Sequence, residues 1–241
     1  MLTTEADRYP YFAADFSHLD ALIIAPHPDD ESLGCGGTIV KHITAGSRVK
    51  IIFLTNGDKG DFERRFGEEY VAMRCQSADR AMTVLGVVDY EFWGYKDREL
   101  LTVEGELGKR LLDTVEVFSP SIVYAPSSFE AHPDHRSSFN VVWKLRNKVN
   151  VTLAFYEVLI AIYPNVLIDI TNEIVKKIKA IECYQTELHY NDYLAKVVGL
   201  NRFRTATLPG TITYAEAYTF LGSGFPAQEE LPIKLLETAR L

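Results

Sequence analysis

The chain has 241 residues, 47% of them apolar and 24% charged, with a formal net charge of −8. That length and apolar content suit one domain with a sizeable core. The acidic balance excludes a nucleic-acid binder built on a broad basic face, and no stretch approaches the ~20 apolar residues that cross a bilayer.

From Met1 to His18 the chain carries Glu5, Asp7, Arg8 and Asp15 and no apolar core, so no signal peptide is read here. Tyr9, Tyr11, Phe12 and Phe16 are dense for a tail and imply packing on the domain or on a neighbouring subunit. Ala21–Ala25 is a short apolar run bounded by Pro26, the pattern of a buried strand. His27-Pro28-Asp29-Asp30-Glu31 follows at once, so one His and three carboxylates crowd a strand end, where sites form in open α/β sheets. Ser32–Gly37 reads as a tight loop leading into a helix at Gly37–Ala45. Its Gly34-x-Gly36-Gly37 invites a dinucleotide-binding reading. The Gly-x-Gly-x-x-Gly spacing is absent, however, and clustered carboxylates would repel pyrophosphate.

Further strands are predicted at Val49–Leu54, Tyr90–Trp93, Ile122–Ala125 and Thr152–Tyr156. Helices are predicted at Glu68–Leu85, Val103–Val117, Arg136–Val149 and Asn172–Tyr184, the first with a core stripe of Val71, Ala78, Met82 and Leu85. Tyr214–Tyr218 alternates like a strand or an extended edge. The long charged loop Thr55–Gly67 is expected to frame a pocket, with Lys59, Arg64, Arg65, Arg74, Lys96 and Arg98 near its mouth. Strand–helix alternation predicts an α/β fold, a Rossmann-like three-layer sandwich with a mainly parallel central sheet. Cys35, Cys75 and Cys183 are odd in number and far apart, which fits reduced thiols and a cytoplasmic location; Cys35 reads as a small packed residue. His189 reads as a surface residue. The apolar run Val158–Tyr163 and the aromatic N-terminus together predict exposed apolar area and hence a homo-oligomer.

The second chemical motif, His132-Pro133-Asp134-His135, follows the strand Ile122–Ala125. Two strand ends that each carry His and Asp can converge on one divalent ion. A hydrolytic metal site needs about three protein ligands and an open position. Imidazole and carboxylate suit zinc and tolerate ferrous iron, and a spare carboxylate can act as general base. Helix capping accounts for either motif alone, since Asp and Ser cap helices and Pro suits a first turn. It does not call for a His shortly before the cap in both places.

Ala-x-His-Pro-Asp-Asp-Glu near the N-terminus, with His-Pro-Asp-His after a later strand, resembles the LmbE-like (PIG-L) de-N-acetylases, over roughly Leu22 to Phe220. The resemblance implies one LmbE-like domain over 1–241, with a core at about 20–160 and a family-variable C-terminal portion at about 161–241. It implies His27, Asp30 and His135 as metal ligands, zinc first and ferrous iron or another divalent ion next. It implies Asp29 as general base, His132 as stabiliser of the oxyanion, either of these two as the donor of a proton to the leaving amine, and Asp134 as the residue that orients and tunes His132. Arg74 and Asp97 would contact substrate. Several positions depart from the family pattern: Glu130 stands where Asp is common, Asn56 where Asp is common, Ser77 where Glu is common, and Lys96 where Pro is common. The implied activity is removal of acetyl from an N-acetylated amino sugar, with a small-molecule partner, no nucleic acid and no membrane span. The rivals are an amidase on a non-sugar N-acyl metabolite and a non-catalytic metal- or sugar-binding protein.

Overall fold

The computed structural model describes residues 5–7 and 9–222. The strands are β1 (Ala13–Ala14), β2 (Ala21–Ala25), β3 (Val49–Thr55), β4 (Asp89–Tyr95), β5 (Ile122–Pro126), β6 (Thr152–Tyr156), β7 (Val166–Asp169) and β8 (Ala215–Leu221). They form one sheet in the order β1-β7-β8-β6-β5-β2-β3-β4. All neighbouring pairs are parallel except β6–β8 and β7–β8. From β2 the chain first builds outward through β3 and β4, then returns to lay β5 on the other flank of β2. Loops leaving β2 and β5 therefore diverge at a topological switch point, where α/β sheets open a crevice.

The helices are α1 (Asp30–Thr44), α2 (Tyr70–Leu85), α3 (Glu104–Phe118), α4 (Pro133–Trp143), α5 (Ile174–Ile181), α6 (Gln185–Tyr190) and α7 (Tyr193–Phe203). Side chains alternate across a strand, and the core divides accordingly. Ala21, Ile23 and Ala25 join Ala78 and Met82 of α2 and Ile181 of α5 on one face. Leu22 and Ile24 join Leu111 of α3 and Phe139 of α4 on the other. These are the three expected layers. Among the described residues no helix is long and apolar enough to cross a membrane.

Several local expectations change. Ser32–Gly37 is not a loop: α1 starts at Asp30 and breaks at Cys35, whose φ of −140° is non-helical. The break frees backbone donors, and the Gly37 and Thr38 N–H groups give hydrogen bonds to the Glu216 carboxylate at 2.9 and 2.8 Å. The helix in effect restarts where the sequence placed its beginning, capped by a residue far away in the chain. The glycines there serve close approach. A Cβ on Gly34 would lie 2.2 Å from Tyr156 Cδ2, and one on Gly37 would lie 2.6 Å from Ile170 Cγ2. Helix α4 starts three residues early, with His132 as its N-cap and Pro133 in its first turn. β8 is interior rather than an edge, held between β6 and β7. In the α2 stripe Ala78, Met82 and Leu85 are buried and Val71 is half-buried.

The N-terminal aromatics pack largely within the chain. Phe16 meets Phe220 at 4.7 Å between ring centroids, and Tyr9 meets Tyr163 edge-on at 5.8 Å, while Phe12 stays exposed. Val158 and Ile162 are buried; Leu159, Ile160 and Tyr163 keep exposed surface. Cys35 is buried and His189 exposed.

Glu216 also pairs with Lys177 at 2.6 Å, and neither side chain is exposed. Removing one partner of such a pair strands a charge in the interior. Glu216→Ala should therefore cost roughly 3–5 kcal/mol in urea unfolding, and Lys177→Met added to it should recover part of that loss.

His42 of α1 is fully buried. Its Nδ1 faces the Leu19 carbonyl at 2.9 Å, so Nδ1 carries the proton and Nε2 accepts from the Tyr124 hydroxyl at 2.9 Å. Burial lowers its pKa from 6.5 to about 4. Between those values the unfolded chain binds a proton that the folded chain refuses, so stability falls as pH drops through this window. The loss should approach about 3 kcal/mol by pH 4 and be absent above pH 7. Urea midpoints at stepped pH should show this slope in the native chain and a flatter one in His42→Gln.

Candidate active site

The turn after β2 is pinned before any side chain acts. The Thr55 N–H and hydroxyl both donate to the Pro26 carbonyl, at 3.0 and 2.9 Å. The His27 N–H donates to Asp30 Oδ2 at 2.9 Å, which closes the turn on itself. Asp29 sits at φ 133°, ψ −31°, a region that a non-glycine residue occupies only under constraint. Its N–H donates to Glu31 Oε2 at 3.1 Å, and Glu31 in turn accepts from the Ser32 and Tyr184 hydroxyls at 2.6 Å each. The two neighbouring aspartates thereby face different ways. Asp30 Oδ2 lies 3.2 Å from His27 Nδ1 and 3.2 Å from His135 Nε2. Asp29 Oδ2 lies 3.3 Å from Arg74 Nη2.

The second motif arrives from β5. As N-cap of α4, His132 accepts the Asp134 N–H on Nδ1 at 3.3 Å. Its neutral ring must then carry the proton on Nε2, which points toward Asp97 Oδ1 at 3.7 Å. The His27 and His132 rings stand perpendicular, with centroids 4.6 Å apart. The hydrogen bonds of the Asp134 carboxylate go to partners other than His132. It accepts the Arg98 and Leu100 N–H groups at 2.6 and 3.3 Å and lies 3.3 Å from His27 Nε2; only its backbone holds His132.

Asp97 and Arg74 are also more committed than the sequence implied. Asp97 is 4% exposed, with Oδ1 3.2 Å from His27 Nε2 and Oδ2 accepting the Lys59 N–H at 3.3 Å. Arg74 is 5% exposed and donates to the Pro28 carbonyl at 2.6 Å and the Gly57 carbonyl at 3.3 Å. Both still line a cavity of about 280 Å³ that contains all eight residues singled out by sequence except Asp134. Lys59, Gly60 and Phe62 come from the predicted framing loop, and Arg98 joins them; Arg64, Arg65 and Lys96 do not line it. Leu159, Ile160, Tyr190 and Tyr193 complete the walls.

The electrostatics favour a cation. Burial raises Asp29 well above the usual carboxylate range, with Arg74 opposing and Asp30 adding. Burial also acts against charge on Asp30, but the His135 charge and hydrogen bond, followed by His27, hold it far below that range. His135 rises to about 9: burial works against its cation, and the Asp30 charge wins. His132 falls to about 4, through burial and then the neighbouring His27 and His135, and is neutral at pH 7.

One atom each from His27, His132 and His135 lie within 4.8 Å of one another, and the same holds for His27, Asp97, His132 and Asp134. His135 Nδ1 is buried without a hydrogen bond, with Glu130 Oε2 at 3.6 Å. Imidazole nitrogens gathered round a carboxylate, with an unsatisfied ring among them, fit a divalent ion of borderline softness. A His/Asp/His group of this kind can hold a metal.

Three glutamates carry structure that motif reading did not assign. Glu31 holds the strained Asp29, as above. Glu130 Oε1 accepts the Val158, Leu159 and Ile160 N–H groups at 2.8, 3.1 and 3.2 Å, so it ties a cavity wall to the vicinity of His135. Glu187 Oε1 lies 2.9 Å from Arg74 Nε. Glu31 and Glu130 sit in or beside the motifs; Glu187 has no local signal at all.

Gly57 has φ +62°, and a Cβ there would stand 1.9 Å from Arg74 Nη1. Gly57→Ala should lower the unfolding free energy by about 1–3 kcal/mol, read by urea denaturation. Its crystal structure should show Arg74 moved off the Gly57 carbonyl.

Residues 22–145 match the PIG-L family, described as GlcNAc-PI de-N-acetylase. A probable N-acetyl-alpha-D-glucosaminyl L-malate deacetylase 2 of Bacillus anthracis is 28% identical over 216 residues, covering 83% of this chain and 92% of that protein. A diacetylchitobiose deacetylase of Thermococcus kodakarensis is 34% identical over 119 residues, 48% of this chain and 44% of that protein. Among solved structures, the N,N'-diacetylchitobiose deacetylase of Pyrococcus horikoshii superposes with a TM-score of 0.72 at 24% identity, covering 90% of this chain and 88% of that one; this likeness concerns the fold. The family match runs over more than half of the chain and contains both histidine motifs, and the chain belongs to the PIG-L family.

Proposed function

We propose that this protein is a zinc-dependent hydrolase that removes acetyl from an N-acetylated amino sugar of the N-acetylglucosamine type, releasing acetate and the free amine. The observation that carries the reading is the divergence of Asp29 from Asp30. Asp30 faces two imidazoles, while Asp29 borders the cavity beside Arg74. Pure binding needs no second carboxylate held there in strained backbone. The relatives named as deacetylases of an N-acetylglucosaminyl malate and of diacetylchitobiose support the substrate class.

His27, Asp30 and His135 would hold the metal through Nδ1, Oδ2 and Nε2, the atoms that meet around Asp30. When bound, a divalent ion polarises a carbonyl and lowers the pKa of water. The chain's own residues do the rest. Asp29 takes the proton from the attacking water as oxygen bonds to the acetyl carbon. His132 donates its Nε2–H to the oxygen that gains negative charge. The carbon–nitrogen bond then breaks, and Asp29 passes its proton to the departing amine. Arg74 keeps Asp29 in place, and Asp97 and Asp134 hold His27 from its Nε2 side. Sugar hydroxyls meet the polar cavity floor, and the Phe62, Leu159, Ile160 and Tyr190 walls meet the group attached to the sugar.

Acetate release over a panel of N-acetylglucosaminides and non-sugar N-acetyl amides, with Zn²⁺ or Fe²⁺ added, tests the reading. Turnover confined to the sugars is expected. Equal turnover of simple amides makes the protein a general amidase, and no turnover of any amide leaves a binding protein. Within that assay Asp29→Ala should lower kcat by ~10²–10⁴-fold with metal content unchanged. Metal lost in step with activity would make Asp29 a ligand and reverse its role with Asp30.

A further inference from the structure

Arg74 is the only described cation in contact with Asp29 in the ion pairs of the turn, and it is itself held from behind. Its Nη2 spans the Pro28 carbonyl and Asp29, its Nη1 reaches the Gly57 carbonyl, and its Nε lies 2.9 Å from Glu187 Oε1. The Nε–H is not aimed at that oxygen, so the contact is an ion pair rather than a directed hydrogen bond. Glu187 is buried and held in turn: Oε1 accepts the Tyr70 hydroxyl at 3.1 Å and Oε2 the Thr186 hydroxyl at 2.7 Å. One helical turn beyond Arg74 there is no carboxylate. Ser77 stands there, and its hydroxyl accepts from Arg80 at 2.9 Å. The counter-charge to Arg74 arrives instead from α6, outside the 22–145 segment that matches the family.

We propose that Glu187 is a positioning residue: with Tyr70 it holds the Arg74 guanidinium between two carboxylates, and so keeps Asp29 oriented toward the reacting water. This rests on the deacetylase reading above. The physical logic is a tug between two anions for one buried cation. A guanidinium that loses one anionic partner in a dry site turns wholly to the other. Without Glu187, Arg74 would close bidentately on Asp29 and draw its carboxylate out of line. Glu187 lines the cavity behind Arg74 and Tyr70, and none of its hydrogen bonds or ion pairs reaches His27, Asp30 or His135, so metal binding should survive its isosteric replacement. Such an effect belongs in kcat rather than KM, and small misplacement of a reacting group is costly.

The test uses the full-length zinc-loaded enzyme and an N-acetylglucosaminide that the native protein hydrolyses. Glu187→Gln keeps the shape and removes the charge. It should lower kcat about tenfold or more, with KM within about twofold and zinc content unchanged. Combined with Arg74→Lys it should add little to the loss from Arg74→Lys alone. If Glu187→Gln does not fold, Tyr70→Phe removes one restraint on Glu187 and should lower kcat less, again at constant KM. Unchanged kcat in the folded, zinc-loaded variants overturns the proposal while leaving the deacetylase reading intact. A crystal structure supplies an outcome independent of turnover. Arg74 should shift toward Asp29 in Glu187→Gln; an unmoved Arg74–Asp29 pair overturns the proposal even if no substrate is turned over.

Discussion

Parallel pairing of β2 with β5 is the constraint from which the site follows. The register sets Ala21 opposite Ile122 and Ile23 opposite Tyr124. Both strands are buried from end to end, so their backbone groups must pair with each other and with the flanking strands. Parallel strands share a C-terminal end, and each of these two ends in a histidine- and aspartate-bearing turn. The crossovers lead away in opposite directions because β3 lies on one side of β2 and β5 on the other. The gap left between them is the cavity. No single loop makes the site; a backbone ladder brings two loops to one place.

Charge is then concentrated where water is scarce. Asp29, Asp30, Glu31, Asp97, Glu130 and Asp134 are all buried around three imidazoles and one guanidinium. Such a set is costly to desolvate unless each member is paired or hydrogen-bonded. The structure answers with backbone donors. Asp134 takes two, Glu130 takes three and Asp30 takes one. What backbone does not satisfy is the cluster of imidazoles around Asp30, a group that can hold a divalent cation. Local strain is tolerated for the same end: Asp29 keeps an unfavourable φ because Glu31 and the Leu33 and Ser32 N–H groups bonded to its carbonyl over-determine it.

The C-terminal portion supplies what the motifs lack. β8 inserts antiparallel between β6 and β7 and carries Glu216 under the break in α1. Helix α6 sends Glu187 to Arg74, and Tyr190 and Tyr193 close one wall of the cavity. Tyr190 also donates to Asp61 at 2.6 Å and lies against Phe62, which ties that wall to the loop after β3. The chemistry-bearing core and its enclosure thus come from different parts of the chain.

The sequence by itself determined the strand–helix alternation, the parallel core and the two motifs. These are local signals: apolar runs of strand length, helical periodicity, and residue types packed into seven or fewer consecutive positions. The family resemblance gave Asp29 and Asp30 different tasks, and the structure turns the two carboxylates to different partners. The sequence misjudged α1 because glycines read as a loop, while Tyr156 and Ile170 need those glycines for close helix packing. It missed β1, β7 and α6, which are short, and α7, which buries only Val197 and Asn201 and so shows no continuous apolar stripe. Only the tertiary structure decided which carboxylate serves which partner. Asp134 turned to backbone donors and His27, Asp97 turned inward to His27, and Arg74 found its second anion 113 residues later in the chain. Side-chain pairing depends on distance in space, and a sequence motif records distance along the chain alone.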